Sequence, residues 1–154
     1  FHPETMAPDY GSKHCSEMLN ALEAYPDYQI IFTGVNSDPG HDIISELIES
    51  FCAKHHFASI ETGIDHKGYV QLMQKAAVVI GNSSAGVIEA PWVGVPSINL
   101  GDRQKGRPMS PSVWGALNIE GAMKWHGEYR PAYKGGAAPK IAEQVRLWLS
   151  NDGG

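Results

Sequence analysis

The order of local patterns along the chain predicts an α/β fold, doubly wound around a mostly parallel sheet. Three observations carry that expectation. Apolar residues recur at the spacing of one helical face in several separate stretches. Between them lie short β-branched runs that end at glycine or a turn residue. One of these runs, Ala77-Val78-Val79-Ile80-Gly81, is apolar throughout, as a strand covered on both faces must be. Strands alternating with helices in this way imply parallel pairing with helices on both sides.

Taken in order, Phe1-His2-Pro3-Glu4-Thr5 reads as the tail of a strand followed by a loop. Residues 11–25 place Cys15, Met18, Leu19 and Leu22 on one helical face, and Pro26 ends the pattern because proline disfavours helical geometry before it. Residues 28–34 form a buried strand closed by Gly34. A second helix opens at Asp42, with Ile43, Ile44, Leu47, Ile48, Phe51 and Cys52 as its apolar side. Residues 57–62 carry a weaker strand pattern, and residues 66–76 a helix with Tyr69, Val70, Leu72 and Met73. After the apolar strand at 77–81, a short helix is expected over 83–92, stopped near Pro91 and Gly94. Strands are expected at 95–100 and 113–119, an irregular stretch at 121–138, and a last amphipathic helix at 139–150.

The composition narrows the function. With 154 residues, 42% hydrophobic and 19% charged, the chain has the size and make-up of one globular domain. Twelve basic against seventeen acidic residues give a net charge of −5, which argues against a general nucleic-acid or anionic-membrane binder. No run is long and apolar enough to span a bilayer, and no basic-then-apolar leader is read. Cys15 and Cys52 both fall in helix-like stretches and are expected as reduced core thiols, which points to the cytosol.

Ligands of open α/β sheets bind beyond the carboxyl ends of the strands. Four loops qualify: after Phe1, after Phe32, after Ile80 and after Leu100. The third, Gly81-Asn82-Ser83-Ser84-Ala85-Gly86, joins a buried strand to a helix through small residues. Such a junction presents backbone N–H groups and the positive end of a helix dipole to an anion, and Ser83 and Ser84 add two hydroxyls. The plainer alternative is that Ser83 only caps the helix. Glu89 lies six residues on, roughly 9 Å along a helix at ~1.5 Å per residue. That spacing suits a carboxylate accepting the hydroxyls of a ribose diol, the alternative being a solvated surface glutamate. Its flanks Val87, Ile88, Ala90, Pro91 and Trp92 are apolar, where an unpartnered charge is costly.

The fourth loop, Gly101-Asp102-Arg103-Gln104-Lys105-Gly106-Arg107-Pro108, concentrates Arg103, Lys105 and Arg107 beside the same crevice. Guanidinium groups match phosphate geometry, although a solvated basic loop would look the same in isolation. His2 falls on this edge of the sheet, where a histidine can meet a diphosphate or assist a leaving group; a histidine near a terminus is otherwise incidental. The chain has no His-Glu-x-x-His or paired Cys/His spacing, no Gly-x-Gly-x-x-Gly and no Walker lysine. No metal or cofactor is therefore expected.

Gly-Asn-Ser-Ser-Ala-Gly-Val-Ile-Glu-Ala-Pro (81–91) followed by Gly-Val-Pro-Ser-Ile-Asn-Leu-Gly-Asp-Arg-Gln-Lys-Gly-Arg (94–107) resembles the UDP-N-acetylglucosamine 2-epimerases, most closely the hydrolysing branch. His2-Pro3-Glu4-Thr5 is similar to that family's histidine motif at the head of its C-terminal domain. The resemblance implies a Rossmann-like half of a two-domain GT-B enzyme, with a UDP-sugar such as UDP-N-acetylglucosamine in the cleft. It implies Ser83 and Ser84 on the diphosphate, Glu89 on the ribose hydroxyls, Arg107 near the phosphates, and Tyr69 beside the uracil; Arg103 joins the UDP-binding candidates from the basic loop itself. His2 would be the active-site histidine near the nucleotide leaving group. The family's catalytic carboxylates belong to an N-terminal domain, so the resemblance implies that this chain lacks that domain and the first strand of its own. It should then be inactive alone, and a homo-oligomer within a whole enzyme. Two other readings stay open: the nucleotide-binding half of a GT-B glycosyltransferase, and a non-catalytic UDP-sugar-binding domain.

Overall fold

The computed structural model describes residues 1–115, 119–124, 127 and 142–143. Ten elements follow one another as α1 (Ser12–Leu22), β1 (Ile30–Phe32), α2 (His41–Lys54), β2 (Ala58–Ile60), α3 (His66–Lys75), β3 (Val79–Gly81), α4 (Ser84–Val93), β4 (Ser97–Asn99), β5 (Val113–Trp114) and α5 (Ile119–Met123). Every strand pairing is parallel. The fold is the α/β, Rossmann-like arrangement expected from the alternation.

The described strands form two sheets rather than one. β1 pairs with β2 in the register Ile30 to Ala58, and β3, β4 and β5 pair in that order, with Val79 opposite Ser97 and Ser97 opposite Val113. Two cores lie on opposite faces. Cys15, Met18, Leu19 and Leu22 of α1 gather with Ile44, Ile48 and Phe51 of α2 and Ile119 and Ala122 of α5, and Val78 and Ile80 pack against them. Met73 of α3 and Ala85 and Ala90 of α4 form the second core, against which Val79 packs. Successive strand residues point to opposite faces, so Val78, Val79 and Ile80 serve the two cores alternately. That is why this strand is apolar at every position.

Local chemistry explains most element ends. Asp65 caps α3 by accepting the Gly68 N–H at 2.8 Å. Gly94, in the left-handed region at φ 78°, closes α4, and its N–H donates to the Ala90 carbonyl. α1 stops at Leu22, three residues before the expected end, with turns carrying the chain to Tyr25. Three expectations need correction. Pro91 lies within α4 and does not stop it; the helix continues to Val93. The strand expected over 113–119 is confined to Val113–Trp114, and Ile119 opens α5 instead. α5 also occupies 119–123, inside the start of the stretch read as irregular, because Ile119 and Ala122 bury their side chains at helical spacing in the first core. The helix expected over 139–150 lies outside the described residues except at 142 and 143, which are helical.

Both cysteines are free thiols, Cys15 fully buried and Cys52 partly so. Burial pushes the Cys15 thiol up to about 11, so it is an inert core group. Among the described residues no helix is long and apolar enough to cross a membrane.

Candidate functional site

The four loops singled out from the sequence meet at the carboxyl edge of the strands and are joined by side-chain hydrogen bonds. Asn82, fully buried immediately after β3, is the centre of the junction. Its Oδ1 accepts the His2 N–H at 2.7 Å and its Nδ2 donates to the His2 carbonyl at 2.8 Å, a two-way clamp on the start of the chain. The buried Gln104 side chain donates through Nε2 to the Asn82 carbonyl at 2.9 Å, which ties the basic loop to the same point. In the loop after β1, the Asn36 N–H donates to Nδ1 of His2 at 3.2 Å. Asn36 Nδ2 also donates to Asp38, and Asp38 Oδ2 lies 3.4 Å from a guanidinium nitrogen of Arg103.

This network fixes the state of His2. Burial, then the positive charge of the chain's amino group, then Arg103 all disfavour imidazolium, and Asp38 only partly offsets them. Together they lower the His2 pKa to about 4. Because Nδ1 accepts a hydrogen bond, the single ring proton of the neutral imidazole sits on Nε2. His2 is therefore a neutral hydrogen-bond donor at pH 7.

Ser83 caps α4, its Oγ accepting the Ala85 N–H at 3.4 Å. The capping role weighed for Ser83 is thus real, and it leaves the N–H and hydroxyl of Ser84 without partners among the described residues. Ser83 and His2 line the same cavity. Glu89 projects further along α4. Its Oε2 is buried, accepts no hydrogen bond, and lies 3.8 Å from Nε2 of the exposed His66 at the start of α3. Across from it on α3, Tyr69 is half-buried, and its pKa is raised by burial and then by the charge of Glu89. The charge of Glu89 is thus felt at Tyr69 across the contact between α3 and α4.

Arg107 is exposed; only its backbone is engaged, through an N–H donated to the Gln104 carbonyl at 3.2 Å. Of the expected residues, His2, Ser83, Ser84 and Arg103 gather around one junction, and Tyr69 and Glu89 form a second group along α4. Arg107 belongs to the same loop as Arg103 but reaches neither group. Asn36, Asp38, Asn82, Gln104 and His66 were not singled out from the sequence. Asn36 and Asp38 stand in a loop already assigned to the ligand edge, and their polar character there was the signal available.

The family model for UDP-N-acetylglucosamine 2-epimerase matches residues 1–121. The chain belongs to the UDP-N-acetylglucosamine 2-epimerase family. It is 38% identical over 114 residues to the polysialic acid biosynthesis protein P7 of Escherichia coli, covering 73% of this chain and 29% of that protein. It is 36% identical over 108 residues to the hydrolysing GDP/UDP-N,N'-diacetylbacillosamine 2-epimerase of Campylobacter jejuni, covering 70% and 28%. The UDP-N-acetylglucosamine 2-epimerase of Neisseria meningitidis is 32% identical over 113 residues, covering 73% and 29%. The chain therefore spans less than a third of the length of these relatives.

Proposed function

We propose that this chain is the UDP-holding domain of a hydrolysing UDP-N-acetylglucosamine 2-epimerase. The observation that carries the reading is Glu89. A carboxylate oxygen, buried and with no hydrogen bond, stands along the helix whose first turn offers Ser83 and Ser84. Their separation along the helix, roughly 9 Å at ~1.5 Å per residue, matches a nucleoside diphosphate lying along α4. Glu89 then accepts the ribose hydroxyls, Tyr69 stands beside the uracil, and the diphosphate rests on the serines with Arg103 and Arg107 at its flank.

In the proposed reaction, the C2 proton leaves and the C1–O bond to UDP breaks, giving a glycal. Water then adds across that double bond, hydroxyl to C1 and hydrogen to the opposite face of C2, releasing N-acetylmannosamine and UDP. The part of this chain is to hold and neutralise the departing diphosphate. His2, neutral with its proton on Nε2, donates to the leaving oxygen as negative charge develops there. The groups that move the C2 proton would come from a second domain, so this chain alone is expected to bind without turning over. The same UDP contacts serve a diacetylated bacillosamine-type sugar, because they end at the diphosphate.

Calorimetric titration with UDP and with 2′-deoxy-UDP tests the ribose contact. The unaltered chain should bind UDP at least tenfold more tightly than the deoxy analogue, the effect of one charge-assisted hydrogen bond of about 1.5–3 kcal/mol. Glu89→Ala should bind both equally and weakly. Equal affinity for the two nucleotides in the unaltered chain would overturn the assignment of Glu89.

A further inference from the structure

Asp38, in the loop between β1 and α2, is a carboxylate set between two groups assigned to the departing diphosphate, His2 and Arg103. Its Oδ2 accepts from Asn36 Nδ2 and lies 3.4 Å from Nη2 of Arg103. The Asn36 backbone N–H in turn donates to Nδ1 of His2 at 3.2 Å. His2, Asn36, Asp38 and Arg103 therefore form one chain of contacts across three loops. Both ends of the ion pair stand on anchored backbone. Pro39 restricts the residue before it, and the Asp38 carbonyl accepts the His41 N–H at 3.0 Å where α2 begins. On the other side Gln104, next to Arg103, is tied to the Asn82 carbonyl at 2.9 Å. The Glu4 carboxylate fills the place that a side chain would take at Gly101, where φ is +67° and the basic loop starts. Asp38 and Arg103 are 42% and 29% exposed. A pair that open to water is screened and adds little to stability. What it fixes is direction: one guanidinium nitrogen is engaged by Asp38, and the other donors of Arg103 have no partner among the described residues.

We propose that Asp38 is a positioning residue, which holds Arg103 and, through Asn36, His2 in the arrangement that receives the diphosphate. The inference rests on the UDP reading for the identity of the anion, while the contacts it invokes need no nucleotide. An arginine side chain loses much rotamer freedom when it docks on a phosphate. Held by one nitrogen, Arg103 has given up part of that freedom beforehand, and its planar fork keeps further donors for the anion. Asn36 depends on Asp38 in the same way. Its side chain makes no other hydrogen bond among the described residues, and its Oδ1 is buried without a partner. Without Asp38 both ends of that amide are unpaired, and the Asn36 N–H that sets the His2 tautomer is no longer held in place. The opposite role is that of a competitor, a carboxylate that must leave Arg103 before the diphosphate can bind. The unengaged guanidinium donors argue against it, since a diphosphate can meet them without displacing Asp38.

The test uses the full 154-residue chain with Asp38→Ala, Asp38→Asn, Arg103→Ala, and Asp38→Ala combined with Arg103→Ala. In calorimetric titration with UDP, Asp38→Ala and Arg103→Ala should each weaken binding about fivefold or more. The double variant should bind no more weakly than the worse single one, because both changes remove one coupled unit. Uridine, which has no phosphate, should bind every variant as it binds the unaltered chain. UDP binding by Asp38→Ala as tight as that of the unaltered chain, or tighter, would overturn the proposal, as would losses that multiply in the double variant. Nitrogen NMR of the His2 ring supplies a second readout without nucleotide. The unaltered chain should carry the ring proton on Nε2, and Asp38→Ala should show both tautomers. Asp38→Asn keeps the shape and removes the one charge that favours imidazolium at His2, so the titration midpoint should fall below about 4. Unfolding would move it the other way, toward 6.5. An unchanged tautomer in Asp38→Ala, or a midpoint that does not fall in folded Asp38→Asn, would also overturn the proposal. If the unaltered chain fails to bind UDP, the UDP reading falls, and the ring signals still decide the role of Asp38.

Discussion

At the scale of single residues, His2 shows how a neighbourhood sets a chemical state. Its pKa of about 4 comes chiefly from burial, and the bond from Asn36 decides which nitrogen keeps the proton. NMR titration of the ring should therefore give a midpoint near 4 rather than 6.5, with Nε2 protonated at neutral pH. An unfolded histidine takes up its proton near 6.5 and the folded one only near 4, so the unfolded chain binds more protons between those values. Stability should accordingly fall as the pH drops from about 6.5 to about 4, and His2→Gln should flatten that part of the profile. Ser83, Ser84 and Glu89 were legible because they lie on one short helix, where spacing alone fixes their relation. Asn36, Asp38, Asn82 and Gln104 were not, since their bonds join loops 22 to 80 residues apart in sequence. No local periodicity encodes such contacts.

At the scale of elements, caps and close approaches decide what the hydrophobic pattern leaves open. Asp65→Ala removes the acceptor for Gly68 and should cost about 1 kcal/mol, a Tm drop of ~2–4 °C in thermal unfolding. Gly40→Ala should cost more. Gly40 has φ +89°, and a side chain there would come within 2.5 Å of the Tyr10 ring. Strain of about 1–3 kcal/mol plus displacement of Tyr10 should lower the midpoint of urea unfolding well beyond the effect of Asp65→Ala. The helices were legible because their faces are buried at a regular spacing, as Ile44, Ile48 and Phe51 are in α2. Element ends were less so. Pro91 reads as a stop, yet α4 passes through it and ends at Val93, where Gly94 in the left-handed region caps it. The short α5 was missed for the opposite reason, having only Ile119 and Ala122 to bury.

At the scale of the molecule, two cores on opposite faces hold the strands so that four loops meet at one edge. Asn82 is the rivet of that edge, joined to His2 on one side and Gln104 on the other. Joined to the rest of an epimerase, the domain should yield free N-acetylmannosamine and UDP from UDP-N-acetylglucosamine, with no acceptor required. A glycosylated acceptor would instead assign it to a glycosyltransferase, and binding without turnover to a sensor. The central claim is that UDP lies along α4 with its diphosphate at the helix start. The most direct measurement is amide chemical-shift mapping of the chain with UDP. The largest changes should fall on Asn82 to Gly86, with further changes at Tyr69, Glu89 and Arg103. No perturbation at millimolar UDP, or changes confined to residues away from α4, would contradict it.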